Sequence, residues 1–150
     1  MWVNADYDNA TLYNDSVVDE IVRRFEHENA IVIYMPDHGE ECFNGTLDFF
    51  GRMHSATIDY RLAREEIEIP FWIWASDTYR QTHPDVWATI WRASHRPYMT
   101  DVLPHTLMFL GGIHSKDYRP DYDILNSRYD AKRPRLLKNE TNYNDLKIGK

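Results

Sequence analysis

The chain has 150 residues, a formal net charge of -7 and a sequence pI of about 5.4. This acidity argues against nucleic acid as a partner, because phosphate binding requires a basic face. The sequence has no apolar run of the roughly 20 residues needed to span a bilayer, and its start lacks the basic and apolar regions of a signal peptide. We therefore expect a soluble chain with a single domain.

The first part of the chain predicts a helix, a strand and a long loop. Apolar residues recur at helical spacing over residues 7–28, with Asp, Glu and Arg between them, and predict an amphipathic helix that covers a sheet. A β-branched apolar run over residues 30–35 predicts a buried strand, which Pro36 closes. Residues 37–57 show no sustained period, and so long a loop is often functional.

The second part predicts three more helices and one further strand. A short charged helix is expected over residues 60–68 and a second buried strand over residues 69–75. Helices are then predicted over residues 84–93 and, with Pro104 in its first turn, over residues 100–110. Beyond these, residues 114–150 are polar and are expected to wrap the surface as a tail.

Several candidate residues have ordinary structural explanations. The lone Cys42 is expected to be a bystander rather than a nucleophile. It lies close to His38 in the sequence, but a catalytic thiol needs a base within hydrogen-bond reach, and the sequence does not show that geometry. His105, on an apolar helix, is expected to be a core histidine with satisfied hydrogen bonds. The acidic, tyrosine-rich residues 118–129 are expected to form a solvated surface segment. Core packing is expected for four tryptophans, Trp72, Trp74, Trp87 and Trp91.

A carboxylate and an imidazole, Asp37 and His38, follow the first predicted strand directly. In open α/β sheets, ligands bind just beyond the carboxyl ends of the strands. Oxygen and nitrogen donors of this kind suit zinc, but zinc takes three or four protein ligands. On the motif alone, a turn capped by Asp37 and bonded to His38 is therefore favoured over half of a metal site.

The order of the segments resembles the carboxy-terminal part of the phosphoethanolamine transferases, in the sulfatase and alkaline phosphatase superfamily. The resemblance covers about residues 4–113 and rests on five segments: Tyr13-Asn14-Asp15-Ser16, the strand Ile31 to Met35, Pro36-Asp37-His38-Gly39-Glu40, the strand Ile69 to Ser76, and Leu107 to Gly112. It implies an α/β fold with a partial doubly wound sheet and flanking helices, the C-terminal portion of an alkaline-phosphatase-like fold. Residues 1–150 would then be the C-terminal portion of a sulfatase-like catalytic domain, with residues 114–150 as its polar tail.

The same resemblance assigns roles to individual residues. It implies that Asp37 and His38 are zinc ligands and that Glu40 is an acid that supports them from outside the ligand set. His54 matches a loop histidine that contacts the phosphoryl substrate or a second metal. An exposed loop histidine without such a role is an equally weighted alternative for His54.

The family's nucleophile, a zinc-activated threonine, lies on strands upstream of the Asp-His pair. No threonine of this chain is expected to follow a buried strand and open a helix; the candidates are Thr11, Thr46, Thr57 and Thr78. The chain is therefore expected to be an inactive fragment of a membrane-anchored enzyme.

The intact enzyme would transfer phosphoethanolamine from a phospholipid donor to lipid A or another envelope glycolipid at the periplasmic face of the bacterial inner membrane. Two alternatives stay open: a sulfatase or phosphodiesterase of the same superfamily, and a noncatalytic binding or interaction domain. An incomplete sheet exposes a strand edge, so self-association of the chain is also expected.

Overall fold

The computed structural model describes residues 2–42, 50–52, 60–137 and 140–146. Within these ranges the chain forms five α-helices and four short strands. Its contacts divide it into two compact units, one up to Pro84 and the other from Asp85 to Leu146. In the described part of the chain, no helix is both long and apolar enough to cross a membrane.

The first unit is built on helix α1, Trp2–Phe25, and a two-stranded sheet. Strand β1, Ile31–Tyr34, pairs antiparallel with β4, Trp72–Ala75, so that Ile31 lies opposite Ala75 and Tyr34 lies opposite Trp72. The predicted helix and both predicted strands are present, although α1 begins earlier than its apolar pattern indicates. The predicted burial of the strands is only partly met, because β1 is half-buried and β4 is fully buried only at Ala75. The pairing places the carboxyl end of β1 beside the amino end of β4.

Fewer apolar side chains of α1 are shielded from solvent than the apolar pattern of the helix predicts. The side chain of Asn14 reaches the sheet, with Nδ2 3.3 Å from the hydroxyl of Tyr34. Val18 and Val22 are half-buried. Other apolar side chains of the helix are exposed: Tyr7, Leu12, Tyr13, Val17, Ile21 and Phe25. The described part of the sheet therefore covers only part of the apolar surface of α1.

The predicted long loop contains two short strands that the sequence did not indicate. Strand β2, Glu41–Cys42, pairs antiparallel with β3, Phe50–Gly51. Two-residue strands are too short to show the alternation by which strands are recognised in a sequence. The predicted charged helix follows as α2, Tyr60–Ile67.

A buried hydroxyl, that of Ser76, joins the sheet to the next helix, α3, Asp77–Thr82. Ser76 Oγ donates to the carbonyl of Glu28 at 2.6 Å and accepts the backbone N–H of Ala30 at 3.3 Å and that of Tyr79 at 3.0 Å. The last of these bonds caps α3. The sequence predicts the end of the strand here but not this helix, because residues 77–82 carry no apolar period.

The second unit contains most of α4, Pro84–Ala93, and all of α5, Leu103–Leu110, which follows a 3₁₀ turn at Thr100–Val102. Both helices agree with the sequence prediction. The N–H of Gly111 closes α5 on the carbonyl of Leu107 at 2.9 Å. The buried residues of this unit are Ile90, Ala93, Val102, Thr106, Asp123, Ile124 and Leu125.

The prediction that residues 118–129 form a solvated segment is wrong for its centre. Asp123 is fully buried because its carboxylate accepts three hydrogen bonds, from the Thr106 hydroxyl at 3.3 Å, the Tyr118 hydroxyl at 2.7 Å and the backbone N–H of Leu125 at 3.0 Å. Burying a carboxylate is tolerable when its lone pairs are satisfied in this way. Asp123 thus brings Ile124 and Leu125 into the core of the second unit.

Two other predictions about single side chains have opposite outcomes. Trp91 is 71% exposed, so its predicted core role is wrong; the apolar spacing placed it on a helix face that the described residues do not cover. His105 is half-buried and satisfied as predicted, since its Nδ1 accepts the backbone N–H of Arg119 at 3.2 Å. The ring of His105 also meets the edges of Tyr118 and Tyr122.

We predict that Ser76→Ala lowers the free energy of unfolding by about 2 kcal/mol, because it removes a helix cap and three part-buried hydrogen bonds to the backbone. Ser16→Ala is the matched control, since the Ser16 hydroxyl is exposed and donates to the carbonyl of Leu12 in the preceding turn of its own helix at 3.1 Å. Urea unfolding of both variants measures the difference. Equal stabilities would show that the Ser76 hydroxyl does not join the sheet to α3.

Candidate functional site

The Asp37–His38 pair lies immediately beyond the carboxyl end of β1. Asp37 Oδ1 accepts the backbone N–H of His38 at 3.1 Å, as in the predicted capped turn. The other carboxylate oxygen, Oδ2, lies 3.3 Å from Nε2 of the His38 ring. The Asp37 side chain is 87% exposed, whereas that of His38 is only 30% exposed. The two side chains therefore converge at the surface, with the imidazole partly shielded.

The other ring nitrogen of His38, Nδ1, is turned towards the backbone. It lies 3.0 Å from the carbonyl oxygen of Gly39. A carbonyl oxygen can only accept, so this bond requires a proton on Nδ1. In the neutral ring Nε2 then carries the lone pair, on the side where Asp37 Oδ2 lies. Metal-binding histidines show this arrangement, in which one nitrogen is held by the protein and the other faces the ion.

Glu40 lies on the Nδ1 side of the same ring. Its Oε1 is 3.7 Å from His38 Nδ1 and 3.7 Å from Nε of Arg52. These distances are those of ion pairs rather than of hydrogen bonds. Glu40 thus lies on the Nδ1 side of the ring and leaves Nε2 to face Asp37, which is compatible with the supporting role predicted for it. That role stays a prediction.

Gly39 is in very close contact with the carboxyl end of α2. Its N–H donates to the carbonyl of Glu66 at 2.9 Å. A Cβ atom on residue 39 would lie 2.1 Å from the carbonyl oxygen of Glu65, a distance that no side chain tolerates. Residue 39 is therefore glycine because the backbone of α2 occupies the space of a side chain. The glycine directly after the histidine was a signal in the sequence for a close backbone contact at this position. The sequence did not show that α2 makes this contact.

Burial and nearby carboxylates both act on the thiol of Cys42. Burial raises the pKa of the Cys42 thiol, and neighbouring carboxylates raise it further, with Glu40 first, followed by Glu41, Asp8 and Glu65. A raised pKa keeps the thiol protonated, which opposes nucleophilic chemistry. The expectation that Cys42 is not a nucleophile therefore agrees with its surroundings.

A cleft of about 640 Å³ opens beside His38 in the first unit. Residues of α1 form one wall, and residues around the carboxyl end of α2 form another. Its polar lining residues are Tyr7, Asp8, Thr11, Asn14, Tyr34, His38, Glu40, Cys42, Glu65 and Glu68. Among the described lining residues, four are acidic and none is Lys or Arg, so this part of the lining is acidic.

The donors of the pair suit zinc in kind but not in number. Among the described residues, no group of three or more His, Cys, Asp or Glu side chains is arranged to hold a metal ion. Asp37 and His38 therefore fit one part of a zinc site, whose remaining ligands would come from elsewhere. His54 lies outside the described residues, so its assignment as a substrate or metal contact stays a prediction.

Thr78 corrects one expectation from the sequence. It follows β4 and lies in the first turn of α3, so one threonine does follow a strand and open a helix. However, the antiparallel register places Ala75, at the end of β4, opposite Ile31 at the start of β1. Thr78 is therefore at the opposite end of the sheet from Asp37 and His38, about 10 Å or more away along strands of four residues.

One family model and several known proteins are similar to this chain. The family model described as Sulfatase matches residues 3–113. Phosphoethanolamine transferase EptC of Escherichia coli K12 is 31% identical over 126 residues, which are 83% of this chain and 21% of EptC. Phosphoethanolamine transferase EptA of Helicobacter pylori is 29% identical over 131 residues, 84% of this chain and 23% of EptA.

Solved structures agree with the sequence comparisons. The crystal structure of the C-terminal periplasmic domain of EptC from Escherichia coli matches with a TM-score of 0.74 and 30% identity, and covers 94% of this chain and 40% of that domain. A second structure of that domain, in complex with Zn, matches equally well. These matches confirm the predicted alkaline-phosphatase-like fold and the resemblance to phosphoethanolamine transferases. The chain spans little more than a fifth of the curated relatives, 21% of EptC.

We predict that Cys42 reacts with iodoacetamide at a pH of about 8 at least tenfold more slowly in the native chain than in urea, because burial and carboxylates raise the pKa of its thiol. The thiolate, and hence the reaction, should appear at higher pH than for an ordinary cysteine. Glu40→Gln should raise the native rate slightly, since burial is the larger cause, and the exposed Glu20→Gln serves as control. Equal rates in the native and unfolded chain would contradict this account.

Proposed function

Because this chain belongs to the sulfatase family, we propose that it forms part of a zinc-dependent phosphoethanolamine transferase and supplies two of its metal ligands, Asp37 and His38. The observation that carries the proposal is the geometry of the pair. His38 Nε2 and Asp37 Oδ2 lie 3.3 Å apart, while His38 Nδ1 is bonded to the Gly39 carbonyl. The homologous EptC domain has been solved in complex with Zn, which supports the choice of metal.

Each residue of the segment has a distinct task in this proposal. Asp37 and His38 bind the metal, and Glu40 supports the ring of His38 from its Nδ1 side. His54 contacts the phosphoryl substrate or a second metal. Zinc bound here would neutralise charge on phosphoryl oxygens and lower the pKa of an attacking hydroxyl.

The proposed donor is a phospholipid and the proposed acceptor is lipid A or another envelope glycolipid. The intact protein would work at the periplasmic face of the inner membrane, which is supported by the periplasmic origin of the homologous EptC domain. The EptC and EptA relatives are all named as transferases, which favours transfer over sulfatase or phosphodiesterase chemistry.

The isolated 150 residues are proposed to be inactive. The described residues bring only two candidate ligands together, and Thr78 lies at the wrong end of the sheet for a nucleophile. The self-association expected from an open strand edge also stays a proposal.

We predict that the chain binds Zn²⁺ weakly and that Asp37→Ala or His38→Ala lowers its zinc affinity at least tenfold, because each change removes one of two ligands. His27→Ala is the matched control, since His27 also follows an acid, with its Nε2 3.2 Å from Glu26 Oε1, but is exposed on the surface. Isothermal titration calorimetry measures the affinities. Zinc uptake that is insensitive to His38→Ala would instead favour a noncatalytic domain.

Turnover gives an independent test. We predict that the purified chain, with zinc present, releases no product from a phosphoethanolamine ester above the rate of buffer with zinc, because the described residues bring only two candidate ligands together and place Thr78 at the other end of the sheet. Thr46 and Thr57 lie outside the described residues. A chromogenic ester monitored by absorbance measures this rate. Turnover that disappears in Asp37→Ala would contradict the proposed inactivity of the chain.

A further inference from the structure

The Gly39 residue is hydrogen-bonded through both its backbone N–H and its carbonyl. The N–H donates to the carbonyl of Glu66 at 2.9 Å, and the carbonyl accepts from Nδ1 of His38 at 3.0 Å. One glycine thus connects the carboxyl end of α2 with the ring of a proposed metal ligand.

The contact with α2 leaves little freedom at this position. The last carbonyls of a helix have no partner within the helix, and one of them, that of Glu66, takes the N–H of Gly39. The carbonyl oxygen of Glu65 stands where a Cβ of residue 39 would be, at 2.1 Å. Since backbone atoms on both sides would have to move together, the Gly39 backbone is held in one place.

The contact also has an electrostatic consequence. The carboxyl end of a helix carries partial negative charge from its aligned peptide dipoles, and this charge stabilises a nearby cation. Helix α2 ends at Ile67, so its negative end faces the segment that carries Asp37 and His38. A metal ion bound by this pair would be favoured by that end of the helix.

We propose that Gly39 is a positioning residue: by joining the end of α2 to His38, it holds the imidazole in the tautomer that carries its proton on Nδ1. Nε2 is then left with its lone pair towards Asp37 and towards a metal ion. The role of this tautomer in metal binding rests on the proposed function, but the tautomer itself can be observed in the metal-free chain. An unrestrained histidine prefers the opposite tautomer, with the proton on Nε2, so the protein has to impose this one.

Two neighbouring acids could influence the same ring. Asp37 Oδ2 lies 3.3 Å from Nε2 and would favour a proton there, but its side chain is 87% exposed and well solvated. Glu40 Oε1 lies 3.7 Å from Nδ1 and favours the proton on that nitrogen. The Gly39 carbonyl, at 3.0 Å, is closer to the ring than either of these carboxylate oxygens, and together with Glu40 it favours the proton on Nδ1.

The test is the tautomer of His38, observed by long-range ¹H–¹⁵N NMR of the metal-free chain at a pH of about 8.5, where an ordinary histidine is neutral. We expect the Nδ1–H form in the wild type. Gly39→Ala should shift His38 towards the Nε2–H form, because the new Cβ drives the Gly39 peptide away from α2. Zinc affinity should then fall about tenfold, as when the outer partner of a metal-binding histidine is lost.

Glu65→Ala is the matched control. It removes the side chain of Glu65 but keeps the carbonyl that a Cβ at residue 39 would meet, so the tautomer should not change. Circular dichroism checks that both variants remain folded, and amide hydrogen exchange of Gly39 in the wild type tests the bond to Glu66 without any substitution.

Three results would overturn the positioning role: an Nε2–H tautomer in the wild type, an unprotected Gly39 amide, or a folded Gly39→Ala variant with an unchanged tautomer. An Nδ1–H tautomer that is lost in Gly39→Ala supports positioning even if the wild-type chain takes up no zinc. In that case the proposed function fails while the positioning of His38 stands.

Discussion

The contact between the carboxyl end of α2 and the backbone of Gly39 is the constraint on which the candidate site depends. The carbonyl oxygen of Glu65, in α2, lies 2.1 Å from the position that a Cβ of residue 39 would take. Helix α2 therefore restricts the path of the backbone after β1. Along that path Asp37 points to solvent, His38 turns its Nδ1 to the backbone, and Glu40 falls behind the ring. Backbone packing thus contributes to the arrangement of the pair, together with the side chains of Asp37 and Glu40.

The site belongs to one compact unit, whereas the second unit is held by its own buried network around Asp123. This network explains why the centre of residues 118–129 was misjudged from the sequence. A segment rich in Asp, Tyr and Asn resembles a solvated surface until the donors that satisfy Asp123 are known. Burial of a polar residue depends on partners distant in sequence, and no local pattern contains them.

Local apolar patterns and the Asp-His motif were enough to predict several helices and strands and the two candidate ligands. Apolar spacing located α1, β1, β4, α4 and α5, and the position of Asp37 and His38 after β1 identified the candidate ligands. The sequence did not predict the antiparallel register that separates Thr78 from this pair, the hairpin of two-residue strands, or the role of α2. Strand direction and helix docking are tertiary properties, and they decide which residues meet.

The central claim is that Asp37 and His38 bind one zinc ion together, and an anomalous difference map at the zinc absorption edge, from crystals of the chain grown with Zn²⁺, tests it most directly. The account predicts a peak about 2.0–2.2 Å from both His38 Nε2 and Asp37 Oδ2, with His38 Nδ1 still bonded to the Gly39 carbonyl. A peak on Nδ1, or a peak that contacts neither side chain, would contradict it.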